Sequence, residues 1–275
     1  MSRTVFPQPV PRPTVQRSSW AVRIAVWKAL LLREGIARLL TTRTSWLWFL
    51  LEPLVHTVFM VTMMTVVRVR KVGGIDTAVW LVAGLFGFLL FKRIATQSAN
   101  AIGQNQPLFL YRQIVPVDFV LVRAVLEAFL LTLVFSVLIV IGELLGIDAR
   151  PADPLAVIGA LFGAWLMALG FGLMASVGSE LIPGFRRVIG FIMIPMYFLS
   201  GVIVQLSSLP QPYRSWVLLN PVAQALELIR HGFSPMYHAA PEVSLAYLYE
   251  CALVLLFLGL LLQRRFLDRL KAKPR

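Results

Sequence analysis

Residues 199–237 read LSGVIVQLSSLPQPYRSWVLLNPVAQALELIRHGFSPMY, and this stretch decides the fold. An uncharged apolar run from Val188 ends at Gln205, two serines and Leu209-Pro210-Gln211-Pro212 break it, and a second apolar run follows through Trp216 and Leu219. Asn220-Pro221 then opens a helix, because an Asn cap with Pro at the first helical position is a start signal. Leu226, Ile229 and Phe233 recur at helical spacing until Pro235. This is backbone that enters a membrane boundary, turns and leaves again. Irregular backbone survives at membrane depth only where protein or a watery cavity satisfies its polar groups, so the stretch is a candidate lining of a pathway.

Outward from it the chain is apolar: of 275 residues 58% are hydrophobic and 14% charged, with several uninterrupted apolar runs, the composition of an integral membrane protein. The net charge of +13 is spread around those runs rather than gathered in one domain, so nucleic acid is not the implied partner. The single Cys251 excludes an internal disulfide framework.

Residues 1–17, with Pro7, Pro9, Pro11 and Pro13, read as a disordered cytoplasmic tail. Residues 18–40 read as an amphipathic interfacial helix, with Ala25, Ala29, Leu32, Ile36 and Leu39 on one arc and Trp20 and Trp27 as interface residues. Ile24 and Leu31 lie on the opposite side, where they would pack on the bundle. This helix either meets the headgroup of a lipid-anchored substrate or simply anchors to anionic lipid. Six spans follow, at about 46–67, 75–95, 119–145, 154–179, 188–206 and 243–263, and residues 266–275 form a basic tail. Gly159, Gly163, Gly170 and Gly172 permit close helix approach in the fourth span. Arg123 and Glu127, one turn apart, read as a structural pair. Of the 26 Lys and Arg, 20 fall in the termini and the two inner loops and 6 in the outer segments, which places both termini in the cytoplasm.

The stretch from Ser200 onward resembles the last third of the membrane subunits of type-2 ABC exporters, which carry similar residues in this order: Ser200-Gly201, Leu209-Pro210, Asn220-Pro221, Glu227 and Arg230. Trp46-Leu47-Trp48 followed by Leu51-Glu52-Pro53-Leu54 is similar to the first span of the subfamily exporting capsular polysaccharide and related surface glycans. The resemblance covers about residues 18–265. It implies an all-α membrane protein of six transmembrane helices, with an N-terminal interfacial helix and a re-entrant helical segment between helices 5 and 6. It further implies a homodimer in the bacterial inner membrane, joined to two copies of a cytoplasmic ABC ATPase and exporting a lipid-linked polysaccharide. Periplasmic and outer-membrane export proteins are further expected partners.

In the resembled family the loop after the second span carries the coupling helix that docks into the ATPase. Gln104, Pro107, Leu108, Tyr111 and Arg112 are the positions this implies, within a polar stretch that otherwise reads as a surface loop. None of the five lysines is followed by Ser or Thr, so no P-loop is present and ATP and Mg belong to the partner chain. No catalytic or metal-ligating constellation stands out: His231 and His238 have no clustered carboxylate or thiolate. For a translocation pathway, aromatic rings suit the C–H faces of a moving sugar polymer, and the candidates are Trp46, Trp48, Tyr197, Tyr213, Trp216, Phe233 and Tyr237. The same rings read equally as interface anchors. Glu52 marks either the pathway or an ion pair near the cytoplasmic interface, and Glu227 with Arg230 forms a pair in the outer segment. Arg68, Arg70 and Lys71 at the outer mouth either draw an acidic polymer outward or bind headgroups. Export of O-antigen, teichoic acid or another lipophilic cargo is the neighbouring reading, and an intramembrane enzyme of lipid-linked sugars the distant one.

Overall fold

The computed structural model describes residues 19–40, 45–67, 71–111 and 113–271. The chain is mostly helical: α1 (Ser19–Leu40), α2 (Ser45–Val67), α3 (Thr77–Ala99), α4 (Pro116–Leu144), α5 (Pro154–Leu181), α6 (Phe185–Leu199), α7 (Tyr213–Leu218), α8 (Pro221–Phe233), α9 (Leu245–Arg265) and α10 (Leu267–Lys271). A 3₁₀ segment (Gly103–Leu110) joins α3 to α4, and a two-residue hairpin, β1 (Lys71–Val72) with β2 (Ile75–Asp76), precedes α3. Gly73 and Gly74 make its turn at φ +59° and +95°.

Helix starts are set locally. Asp76, Asp153, Asn220 and Ser244 each accept a backbone N–H of the first turn of α3, α5, α8 and α9, and Pro116, Pro154 and Pro221 stand at first helical positions. Among the described residues four helices, α3, α4, α5 and α9, are long and apolar enough to cross a membrane. The fifth apolar run behaves differently from its sequence expectation of 188–206. α6 stops at Leu199, about 22 Å of helix at 1.5 Å per residue. There Gly201 turns the chain at φ +72°.

The organising helix is α3, buried over most of its apolar length, with α2, α4, α5 and α8 packed around it. Trp80, Leu81, Leu85, Phe88 and Ile94 fill the core from its successive turns. α5 packs on α3 along one side and on α9 along the other. A Cβ on Gly170 would lie 2.5 Å from the Leu256 backbone nitrogen, so the α5 and α9 backbones touch there. Gly170→Leu is expected to separate them and lower stability by about 3 kcal/mol, measured as loss of monodisperse protein after detergent extraction and heating.

α1 lies against α2 and α4. Its bundle-facing side is Val26, Trp27, Leu30 and Glu34, whereas Ile24 and Leu31, assigned to that side from helical spacing, are exposed. Trp27 is correspondingly not a free interface residue: its indole N–H donates to Asp118 at 2.8 Å. Trp20, Leu32 and Ile36 are exposed as well. After α9, the short α10 seats Leu270 against Ile102, Val177 and Phe109 at the base of the 3₁₀ segment.

Candidate functional site

Two polar assemblies sit in the apolar bundle, at opposite ends of α3. The first surrounds α8, which packs against α3, α5 and α9. Arg230 and Glu227, one turn apart on α8, are both fully buried and 3.1 Å apart. The Arg230 guanidinium also donates to the carbonyls of Trp80 and Val202, both at 3.2 Å, and lies 3.8 Å over the Trp80 ring. A Cβ on Gly84 would collide with it, so that position must be glycine for the guanidinium to lie against α3. The Tyr237 hydroxyl donates to the same Glu227 oxygen at 2.8 Å. One arginine thereby ties together α3, the turn after α6, α8 and the return segment at 237. The guanidinium donors and one Glu227 oxygen are satisfied in this way, as a buried charge pair requires, while the second Glu227 oxygen is buried with no hydrogen-bond partner among the described residues. Tyr237→Phe removes one bond to a buried carboxylate and is expected to cost about 1–3 kcal/mol of stability, read from thermal melting in detergent.

The other residues of the irregular stretch close the same assembly. Asn220 caps α8 through Val222 N and donates to Ser200 Oγ at 3.0 Å, and Gln224 bridges the Leu218 carbonyl and the Ser244 N–H. Within the stretch that breaks the helical pattern, side chains of α8 thus satisfy the carbonyls of Val202 and Leu218. Phe233 is buried with Val79, Val157 and Ile229. Tyr237 is equally buried, so both stand inside the fold rather than on an open wall. Tyr213 and Trp216 of α7 are exposed and meet edge to face at 5.8 Å. Lys71 is exposed on the hairpin. Trp46 and Trp48 stand in the first turn of α2 with their side chains undescribed, and Arg68, Arg70 and Arg112 lie outside the described residues.

The second assembly is at the other end of α3. A cavity of about 500 Å³ lies between α2, α3 and α6. Glu52 and Tyr197 both line it, together with His56, Lys92, Arg93, Thr96 and Gln97 on its polar side and Met193, Ile194 and Phe198 on its apolar side. Glu52 Oε2 is 3.0 Å from Arg93, whose other guanidinium nitrogen is 4.0 Å from the buried Glu127. Tyr197 packs edge to face on Phe88 at 5.1 Å, and its hydroxyl has no hydrogen-bond partner among the described residues.

Beside the cavity, the 3₁₀ segment is held by charged side chains from three helices. Arg123 of α4 donates to the Gln97 carbonyl at 2.9 Å, to Gln104 at 2.7 Å and to Glu34 of α1 at 3.2 Å. Arg123 therefore reaches well beyond its own helix turn, where the pairing with Glu127 was expected. Asn105 donates to Glu34 and accepts from Arg33, while Gln106 and Arg186 both donate to Glu180 at the end of α5. Leu108 packs on the core. Pro107, Leu110 and Tyr111 project outward. Gln104 is itself exposed, yet its side-chain oxygen accepts from Arg123 and tethers the segment, and the exposed side of the segment also includes Leu110. Glu34 and Asn105 went unnoticed in the sequence, where a Glu on an amphipathic helix and an Asn in a polar loop have no local mark.

The chain is similar to known membrane transport proteins over most of its length. The ABC-2 type transporter family model matches residues 25–234. The chain is 33% identical over 248 residues to the polysialic acid transport protein KpsM of Escherichia coli, covering 90% of this chain and 96% of that protein. It is 30% identical over 249 residues to the capsule polysaccharide export inner-membrane protein CtrC of Neisseria meningitidis serogroup A, covering 86% and 89%. It is 27% identical over 257 residues to the capsule polysaccharide export inner-membrane protein BexB of Haemophilus influenzae, covering 92% and 95%. With its four apolar helices and a match over most of its length, the chain belongs to the ABC-2 type transporter family, as a multi-pass membrane subunit.

Proposed function

We propose that this protein is the permease of an ATP-driven exporter of lipid-linked capsular polysaccharide in the bacterial inner membrane. The observation that carries the reading is the nearly end-to-end similarity to three proteins named for capsule or polysialic acid transport. Six spans are assigned, α2, α3, α4, α5, α6 and α9, with both termini cytoplasmic. α2 has about 34 Å of helix at 1.5 Å per residue, and the short α6 is completed by the re-entrant segment through α7 and α8. α1 lies in the inner interface with Trp20, Leu32 and Ile36 toward lipid.

Two copies of the chain bind two ABC ATPase subunits, which hold ATP and Mg. The outward knob of Pro107, Leu110 and Tyr111 contacts the ATPase. Closure of the motor pushes the 3₁₀ segment, and the Arg123 tether passes that displacement to α3, α4 and α1. The glycan travels between protomers along the side bearing Glu52 and Tyr197, with Tyr213 and Trp216 near the outer mouth. Arg68, Arg70 and Lys71 stand where an acidic polymer would leave, and charge reversal at all three is expected to slow export. Unchanged export would assign them to headgroups instead. The whole reading is tested by complementation: in a capsule-producing strain lacking its permease, this chain with its cognate ATPase restores surface glycan. Glycan that stays in the cytoplasm despite correct membrane insertion would contradict it.

A further inference from the structure

α6 is held along one narrow stripe and fastened at its two ends. Of its residues only Ile189 and Met193 are buried, with Phe185, Met196 and Tyr197 half-buried beside them, and this stripe sets it on α3 and α5. Its C-terminal end is fastened to α8 and its cap: Asn220 donates to Ser200 Oγ at 3.0 Å, and Arg230 to the Val202 carbonyl at 3.2 Å. Its N-terminal end is fastened to the 3₁₀ segment through Glu180, the last residue but one of α5. One Glu180 oxygen accepts from Arg186, near the start of α6, at 2.7 Å, and the other accepts from Gln106 at 3.3 Å. Gly103, at the start of the 3₁₀ segment, lets them meet: a Cβ there would lie 2.6 Å from both the Arg186 guanidinium and the Glu180 carboxylate. The Arg123 tether reaches α3, α4 and α1, whereas the Glu180 carboxylate reaches α6. Resting on the exporter reading, we propose that Glu180 is the positioning residue through which the segment that meets the motor moves α6, and that α6 carries the displacement to the irregular stretch at its other end.

The placement of each group supports this role. An ionised carboxylate accepts from two donors through one planar group, so a shift of Gln106 is passed to Arg186. Glu180 is 14% accessible and Arg186 46%, and a pair this close to solvent adds little to the stability of the fold. Its effect is therefore on linkage. Gly184 turns the chain between α5 and α6 at φ +83°, and nothing lies within 4 Å of where its Cβ would be, so the joint is open on that side. A helix seated by one apolar stripe slides along it as a body. α6 so moved spans about 22 Å at 1.5 Å per residue, from the 3₁₀ segment to the α8 cap.

The test uses the full permease and ATPase complex in proteoliposomes, in a Cys251→Ser background with a bimane fluorophore on Leu199→Cys, at the exposed end of α6. Trapping ATP with vanadate is expected to shift the bimane emission. Glu180→Gln, which keeps the shape and removes the charge, is expected to leave ATP hydrolysis in place, to abolish most of that shift and to lower glycan exported per ATP about fivefold. Arg186→Gln is expected to act in the same direction. Exchanging the two charges, Glu180→Arg with Arg186→Glu, rebuilds the bridge, because the Gln106 side-chain oxygen, buried with no partner among the described residues, turns to accept from the relocated guanidinium. The exchange is expected to recover about half or more of both the shift and the export. A full emission shift in Glu180→Gln, or an exchange no better than either single change, would overturn the proposal. Loss of ATP hydrolysis together with the shift would assign Glu180 to folding and overturn it as well. A shift that depends on Glu180 in a complex that exports no glycan supports the linkage and contradicts the cargo. Wild-type permease that retains no ATPase contradicts the exporter reading, and the linkage with it.

Discussion

Replacing Arg230 by alanine is expected to lower the stability of the folded chain by about 3–5 kcal/mol, enough to remove most of the protein from the membrane fraction. The loss comes from what is left behind rather than from the contact itself. Glu227 becomes a buried carboxylate whose one close oxygen keeps only Tyr237, and the carbonyls of Trp80 and Val202 lose their donor. Arg230→Lys is expected to rescue little, because an ammonium cannot reach two carbonyls and a carboxylate while lying flat on an indole. The double replacement of Glu227 and Arg230 by Gln and Met is expected to be less damaging than Arg230→Ala, since no unpaired charge remains. Thermal melting of the purified variants in one detergent orders the three. A single Arg230→Ala protein that melts like wild type would show that this cluster does not hold the irregular segment at 200–220.

Arg123→Gln is expected to separate assembly from transport. The outward surface of Pro107, Leu110 and Tyr111, the proposed ATPase contact, is untouched, so ATPase binding is expected to be retained. The glutamine cannot span Gln97, Gln104 and Glu34 together, so the 3₁₀ segment moves without carrying α3 and α1. Coupling carried by such a network is worth about 1–2 kcal/mol, and glycan exported per ATP hydrolysed is expected to fall about tenfold. Asn105→Ala, which frees the segment from Glu34 and Arg33, is expected to act in the same direction with a smaller effect. Quantifying surface glycan against ATP consumption in reconstituted membranes checks both. Equal losses of ATPase binding and export would assign Arg123 to simple folding.

Both of these sites were half legible in the sequence, and the split follows from chain distance. The cap at Asn220-Pro221 and the Glu227 to Arg230 spacing are local, and local chemistry is readable from residue type. The partners of Arg230 are not, because Trp80 is 150 residues away and joins only when α8 packs on α3. The same limit explains α1. Helical periodicity finds an apolar arc, but the side that packs inward carries Trp27 and Glu34, whose burial is made acceptable by Asp118, Asn105 and Arg123 from distant segments. Aromatic residues near span ends are ambiguous for a different reason. Phe233 and Tyr237 are packed inside while Tyr213 and Trp216 are exposed, and nothing in residue type separates the two pairs. Tyr197 and Glu52, remote in sequence, meet in one cavity because α2 and α6 both lean on α3.

The measurement that tests the account most directly is ATP hydrolysis by the tagged protein purified in lipid nanodiscs with its native partner chain, with and without lipid-terminated acidic polysaccharide. The account predicts a bound ABC ATPase whose turnover changes when the glycan is added. An ATPase that binds and ignores the glycan would contradict the cargo, and a folded permease with no associated ATPase would contradict the exporter.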